Sequence, residues 1–375
     1  MTVRPGGRPA RPREDDLRLL AGGGAKAGLA LCIGAYLLLP IVMADDFWLS
    51  VLNYAGVAAI GAIGLNVLTG YTGQISLGHA FFVGAGAYAA ALAGGRLGLP
   101  LPLWLASAAL AGALAGALVG PFALRLRGPY LAIVTLGLVF VGEHLFRNLD
   151  SVTGGNSGTP VDAPASLLGF DFAALEVAGV SFSLNQGFFW LIWAVVMVAV
   201  LLASNLVRTR PGRALQAVRD GELIAAVIGV RPGRYKVEAF ALSSALAAIA
   251  GALLGSYQQF VSPDEWTLVL SIQYIAIIIV GGLGTVLGPV VGALLLGGLP
   301  GLIERYSDSI PFVATSATDE GFITVFSLNQ AIFGALIVLF LVFEPRGLAA
   351  ISMRVRAYFR NRLGHRIGAF VGRRL

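Results

Sequence analysis

The chain has 375 residues, of which 57% are hydrophobic and only 12% are charged. A soluble domain carries about 25% charged residues, so there is too little polar surface here to cover a water-soluble globule. The net charge of +6 does not indicate nucleic acid either, because the basic residues fall in tails and loops between apolar runs, the pattern that orients membrane helices.

A spanning helix needs about 20 mostly apolar residues. Ten such stretches are predicted, at 27–44, 48–68, 78–95, 102–123, 129–147, 187–207, 237–258, 267–281, 287–303 and 326–344. The expected fold is therefore an all-α, polytopic membrane protein of about ten transmembrane helices. Its parts are a basic tail at 1–26, a membrane domain at 27–348 and a second basic tail at 349–375. The single cysteine, Cys32, lies in the first apolar run and excludes an intramolecular disulfide. The tail before that run includes Glu14, Asp15 and Asp16, which is wrong for a simple signal peptide.

Charge orients the spans. With the first tail inside, every Lys and Arg except Arg96, Arg147 and Arg305 falls in a tail, in the Arg125–Arg127 turn or in the 208–236 loop. Acidic residues such as Asp45, Asp46, Asp150, Asp264, Glu265, Asp308 and Asp319 collect on the other side, the side of the long 148–186 loop. Both termini are then expected in the cytoplasm.

Two glycine-rich stretches break the apolar pattern. The first holds Gly70, Gly73 and Gly78, with Gln74, Ser76 and His79 among them. The second holds Gly281, Gly282, Gly284, Gly288 and Pro289. Unwound backbone inside a membrane must be buried in protein or line water, and paired broken helices point to a transport pathway. Gln74, Ser76 and His79 are the leading pathway candidates; Tyr130, Thr135 and Gln273 are weaker ones. His79 is read first as a structural hydrogen-bonder. Glu143 and Arg147 stand one turn apart and are expected to pair near a rim.

Small residues also recur at spacing four, at Gly112, Gly116 and Gly120, and at Gly251 and Gly255. That spacing brings one bare face against a neighbouring helix. In the 208–236 loop, Pro211 suits a helix start and Gly229 a stop. One or two short amphipathic helices follow, serving either as a lipid-surface element or as a docking surface. No catalytic constellation is present. The three histidines, His79, His144 and His365, have no metal spacing, and neither Lys26 nor Lys236 sits in a phosphate-binding loop.

The run Gly64-Leu65-Asn66-Val67-Leu68-Thr69-Gly70-Tyr71-Thr72-Gly73-Gln74-Ile75-Ser76-Leu77-Gly78-His79-Ala80 resembles the signature of branched-chain amino-acid ABC-transporter permeases. Arg127-Gly128-Pro129-Tyr130-Leu131, Pro211-Gly212-Arg213-Ala214-Leu215 through Arg219 to Gly229, and Gly281-Gly282-Leu283-Gly284-Thr285 with Gly288-Pro289 are similar to further runs of that family. The resemblance implies an import permease of a bacterial-type inner membrane, without its own ATPase site. It implies a second homologous permease, two ATPase subunits that carry the ATP and Mg, and an external substrate-binding protein. The 208–236 loop, with Arg213, Arg219, Glu222 and Gly229, would couple to the ATPases. The solute would be a branched-chain amino acid or a related small polar molecule such as an amide or urea. Membrane lipid is expected around the chain and at its basic tails. The competing expectation is an ion-coupled secondary transporter.

Overall fold

A computed structural model describes residues 23–43, 45–125, 129–167, 169–177, 179–307, 313–314, 323–343 and 347–348. Most of the first tail, the Arg127-Gly128 turn, Asp308, Asp319 and the tail at 349–375 lie outside the described residues.

The helices in chain order are α1 (Gly23–Val42), α2 (Asp46–Leu65), α3 (His79–Ala90), α4 (Leu101–Arg125), α5 (Pro129–Asn148), α6 (Asp150–Thr153), α7 (Leu184–Arg208), α8 (Arg210–Asp220), α9 (Glu222–Val227), α10 (Pro232–Gln258), α11 (Leu268–Gly281), α12 (Gly288–Leu296), α13 (Leu299–Tyr306) and α14 (Val325–Phe343). Two π-helical turns extend them: Asn66–Gly70 prolongs α2, and Ala91–Arg96 prolongs α3.

The fold is the expected all-α membrane bundle. Among the described residues, five helices are individually long and apolar enough to cross a bilayer: α2 with its π turn, α4, α5, α7 and α10. Shorter apolar helices lie within α1, α11 and α14. The stretch expected as one span over 287–303 is two helices, α12 and α13, which meet at Gly297-Gly298 just before Pro300. A proline there cannot donate to the turn before it, so the helix is interrupted.

The bundle is built around α2 and α10. Of the spanning stretch of α2, 83% is buried, against 28% for α4 and for α5, so the latter two form the outer wall. Leu110, Leu114, Leu118 and Phe122 line the exposed face of α4. Its opposite face is bare. A Cβ at Gly112 or Gly116 would strike Ser244 of α10, and one at Gly120 would lie 3.2 Å from the Val237 Cα. On the other side of α10, a Cβ at Gly86 of α3 would run into the Ala248 backbone, and one at Gly251 into Val83. The four-residue spacing thus serves packing inside the chain, with α10 held between α3 and α4 at backbone contact distance. Gly116→Leu is expected to destabilise the solubilised protein by about 1–3 kcal/mol through overpacking. Gly137→Leu, where nothing lies within 4 Å, should leave the thermal midpoint unchanged. Equal midpoints for both variants would contradict this packing.

The two ends of the bundle differ in charge. At the acidic end, Arg147 pairs with Glu143 at 2.9 Å, as expected, and also with Asp264 at 2.7 Å. The 148–186 loop is folded there. Thr159-Pro160 pairs antiparallel with Phe260-Val261, and the buried Trp104 donates its indole N–H to Pro164 O at 2.9 Å. At the basic end lie α8 and α9 and both glycine-rich breaks.

Candidate functional site

The first break begins where α2 ends. The π turn widens the helix at Asn66–Gly70, one more helical step covers Tyr71-Thr72, and the chain then runs without regular structure to Gly78. Its freed backbone groups are satisfied locally. Thr72 Oγ1 donates to Leu68 O, Gly73 N to Thr69 O at 3.1 Å, and Thr69 Oγ1 to Gln74 O at 3.0 Å. Gly73 has φ +72, a conformation that disfavours any side chain.

The return leg is held by neighbouring helices. Leu77 N donates to Thr135 Oγ1 of α5 at 2.9 Å, and Ala80 N to Ser271 Oγ of α11 at 2.9 Å. A Cβ at Gly78 would meet Thr135 O at 2.7 Å. The His79 ring lies 3.0 Å from Gly61 O and packs edge-on against Tyr274, with centroids 4.7 Å apart. Gly61 stands about 13 Å back along α2 from Gly70. The break therefore sits at the end of α2, and its return leg climbs back toward the helix middle.

Of the pathway candidates, Gln74, Ser76, His79 and Thr135 are brought together and all are buried. Ser76, His79 and Thr135 are occupied by holding the broken backbone. Gln74 differs. It is 6% exposed, and neither side-chain polar atom has a partner among the described residues. A buried amide left unpaired costs about 1–3 kcal/mol, so Gln74 is the group with capacity left for a passing solute or water. Gln273 is half-buried on α11, outside this bonded network. Tyr130, in the first turn of α5, is 67% exposed and does not join it. The sequence put Tyr130 inside the apolar pattern, but α5 turns that position to the outer wall.

The second break is a tight turn. Gly282 and Gly284 have φ +121 and +73. Thr285 Oγ1 donates to Gly282 O at 2.7 Å and accepts from Gly288 N at 3.1 Å, and Pro289 occupies the first turn of α12. Gly281 and Gly288 are in backbone contact, so α11 and α12 fold back tightly on each other.

The two breaks are joined. Asn66, 2% exposed, accepts from Gly284 N at 2.8 Å and donates to Thr285 O at 2.8 Å. One side-chain amide thus satisfies both a donor and an acceptor of the second break. A Cβ at Gly70 would strike this amide and the Gly284 nitrogen. Into the same junction comes Arg219 of α8. Its guanidinium donates to Gly70 O, its Cγ packs against Gly73, and its Nη1 lies beside Gly284. Asn66 is the residue that sequence reasoning missed. Its signal was an amide in an apolar helix, where burial without a partner is costly.

The basic loop forms both short helices that were expected. α8 buries Ala214, Leu215 and Val218 against the bundle. α9 does the reverse: only Ala225 is buried, while Leu223, Ile224, Val227 and Ile228 are 75%, 70%, 87% and 67% exposed. Gly229, with φ +87, ends the helix, and an added Cβ would meet nothing within 4 Å, so its role is conformational. Glu222 pairs with Lys236 of α10, a lysine only 4% exposed. Arg213 is exposed and donates to Arg208 O at 3.2 Å.

A multi-pass membrane bundle with two bolted helix breaks, and a short helix presented beneath them, is a transport-type permease architecture. Residues 47–341 match the family described as the permease component of the branched-chain amino acid transport system, and the chain belongs to that family. It is 33% identical over 299 residues to LivM of Escherichia coli K12, a high-affinity branched-chain amino acid transport system permease protein, covering 76% of this chain and 66% of LivM. The chain thus spans just under two thirds of that relative's length. LivH of Salmonella typhimurium is 30% identical over 116 residues, 31% of this chain and 37% of LivH. The autoinducer 2 import system permease protein LsrC of Salmonella paratyphi B is 33% identical over 110 residues, 28% of this chain and 32% of LsrC. No solved structure matches.

Proposed function

We propose that this chain is the membrane-spanning permease subunit of an ABC importer for branched-chain amino acids or a related small polar solute. Separate ATPase subunits hydrolyse ATP with Mg, a second homologous permease completes the membrane unit, and an external binding protein delivers solute at the acidic end. The basic end, with both termini, faces the cytoplasm of a bacterial-type inner membrane, in keeping with the positive charge collected there.

The observation that carries this reading is the placement of α9 next to Arg219. Three large apolar side chains of α9, Leu223, Ile224 and Val227, and the following Ile228 face outward, and the adjoining helix holds the joint between both breaks. Exposed apolar patches of this kind mark partner surfaces, and this one is mechanically connected to the pathway region. An ion-coupled transporter would want a carboxylate deep in the bundle, and the buried side chains among the described residues include none.

The test is mild-detergent purification from the native membrane, followed by reconstitution into proteoliposomes. Recovery of a second permease and ATPases, with leucine uptake that requires ATP, is expected. Uptake by this chain without any ATPase would overturn the proposal. Within the same reading, Leu223→Glu combined with Val227→Glu should release the ATPases while leaving the permease folded, because both positions are exposed. Unchanged co-purification would remove α9 as the docking surface.

A further inference from the structure

At the acidic end, a cavity of about 700 Å³ opens between α2, α13 and the end of α10. Its size falls in the range of small-molecule sites, which run about 300–1,000 Å³. Phe47 and Val51 of α2 give it an apolar wall, and Glu304 and Arg305 of α13 give it adjacent charges of opposite sign. None of these residues belongs to the breaks or to the basic loop.

Arg305 is held in place from two sides. Its guanidinium lies 4.2 Å from the Phe47 ring centroid, and its Nη2 contacts Asp45 Oδ2 at 3.3 Å. Among the described residues this one long contact leaves most of the five N–H donors of the fork available, in a geometry that matches a carboxylate. The Glu304 carboxylate stands next to it in sequence on the same exposed turn. The Ser307 hydroxyl bonds the Glu304 backbone carbonyl at 2.6 Å and so leaves the side chain alone. Glycines set the depth of the cavity: a Cβ at Gly298 would strike Val51, so α13 sits directly against α2.

We propose that this cavity is an outer loading site for a small α-amino-acid zwitterion with an apolar side chain. Arg305 takes the carboxylate, Glu304 takes the ammonium, and Phe47 and Val51 receive the side chain. The site deepens the importer reading and rests on it for its place in transport, but binding itself can be measured without transport.

The experiment is binding of radiolabelled leucine to the purified complex in lipid nanodiscs. The competitors are 4-methylpentanoate, which keeps only the carboxylate, and isopentylamine, which keeps only the ammonium. Leucine is expected to bind, with each competitor about tenfold weaker or worse, the loss of one charge-assisted hydrogen-bonding group. Arg305→Gln should weaken leucine about tenfold. Gly301→Leu should do the same by filling the cavity, since its Cβ would meet only Val51 at an ordinary 3.6 Å. Asp45→Asn should weaken binding less than Arg305→Gln does, which separates a ligand-binding cation from one that merely ties α13 to α2. Absence of leucine binding to the wild type, or equal binding by wild type, Arg305→Gln and Gly301→Leu, overturns the site. ATP-driven uptake by the same complex in proteoliposomes is the separate readout. Normal uptake with no effect of the variants removes the site and keeps the importer, and leucine binding with no ATP-driven uptake does the opposite.

Discussion

Asn66→Ala is expected to lower the stability of the bundle by about 2–6 kcal/mol and to abolish transport. The estimate follows from what the amide does. It satisfies Gly284 N and Thr285 O together, and each buried polar group left unpaired costs about 1–3 kcal/mol. Water cannot easily replace it, because Gly70 and Gly284 already approach at backbone distance there. Asn66→Asp should be no rescue. It keeps an acceptor for Gly284 N but loses the donor to Thr285 O, and it buries a charge. Thermal unfolding of the solubilised complex measures the first effect and proteoliposome uptake the second. A variant with wild-type stability and uptake would mean that the two breaks are independent.

The second large effect is expected at Arg219. Its head bonds Gly70 O and lies beside Gly284, while its helix adjoins the exposed α9. In the importer proposed above, a displacement of α9 by a partner would be delivered to both breaks at one point, because Asn66 ties them together. Arg219→Ala removes that connection: the residue as a whole is exposed, and what is lost is one hydrogen bond from a charged group, about 1.5–3 kcal/mol. The fold should survive and the coupling should not. Arg219→Lys should behave more like alanine than like arginine, since an ammonium lacks the planar fork.

The breaks and the basic loop were visible in the sequence because glycine, proline and charge are the residues that apolar helices exclude. Helix limits were visible within a few residues where the apolar run was long, as in α5, α7 and α11. The span over 287–303 was misread as continuous because hydropathy does not register the interruption at Gly297-Gly298. The links within the site were less legible. Asn66 and Gly284 are 218 positions apart, and only the fold brings them together. Glu222, expected to act with the partner, is paired with the buried Lys236, a lysine whose depth no local pattern shows. Tyr130 was chosen by its neighbours in the motif, and its orientation depends on which face α5 gives to the bundle. Conversely, the even spacing of Gly112, Gly116 and Gly120 predicted a close helix neighbour, and α10 is that neighbour.

The most direct test measures ATP hydrolysis and leucine uptake side by side in proteoliposomes carrying the complete complex, with wild-type chain or Arg219→Ala. The variant complex is expected to assemble and hydrolyse ATP while its uptake falls about tenfold or more, the loss of one charged hydrogen bond in the transmission path. Uptake and hydrolysis that remain in wild-type proportion would contradict this expectation.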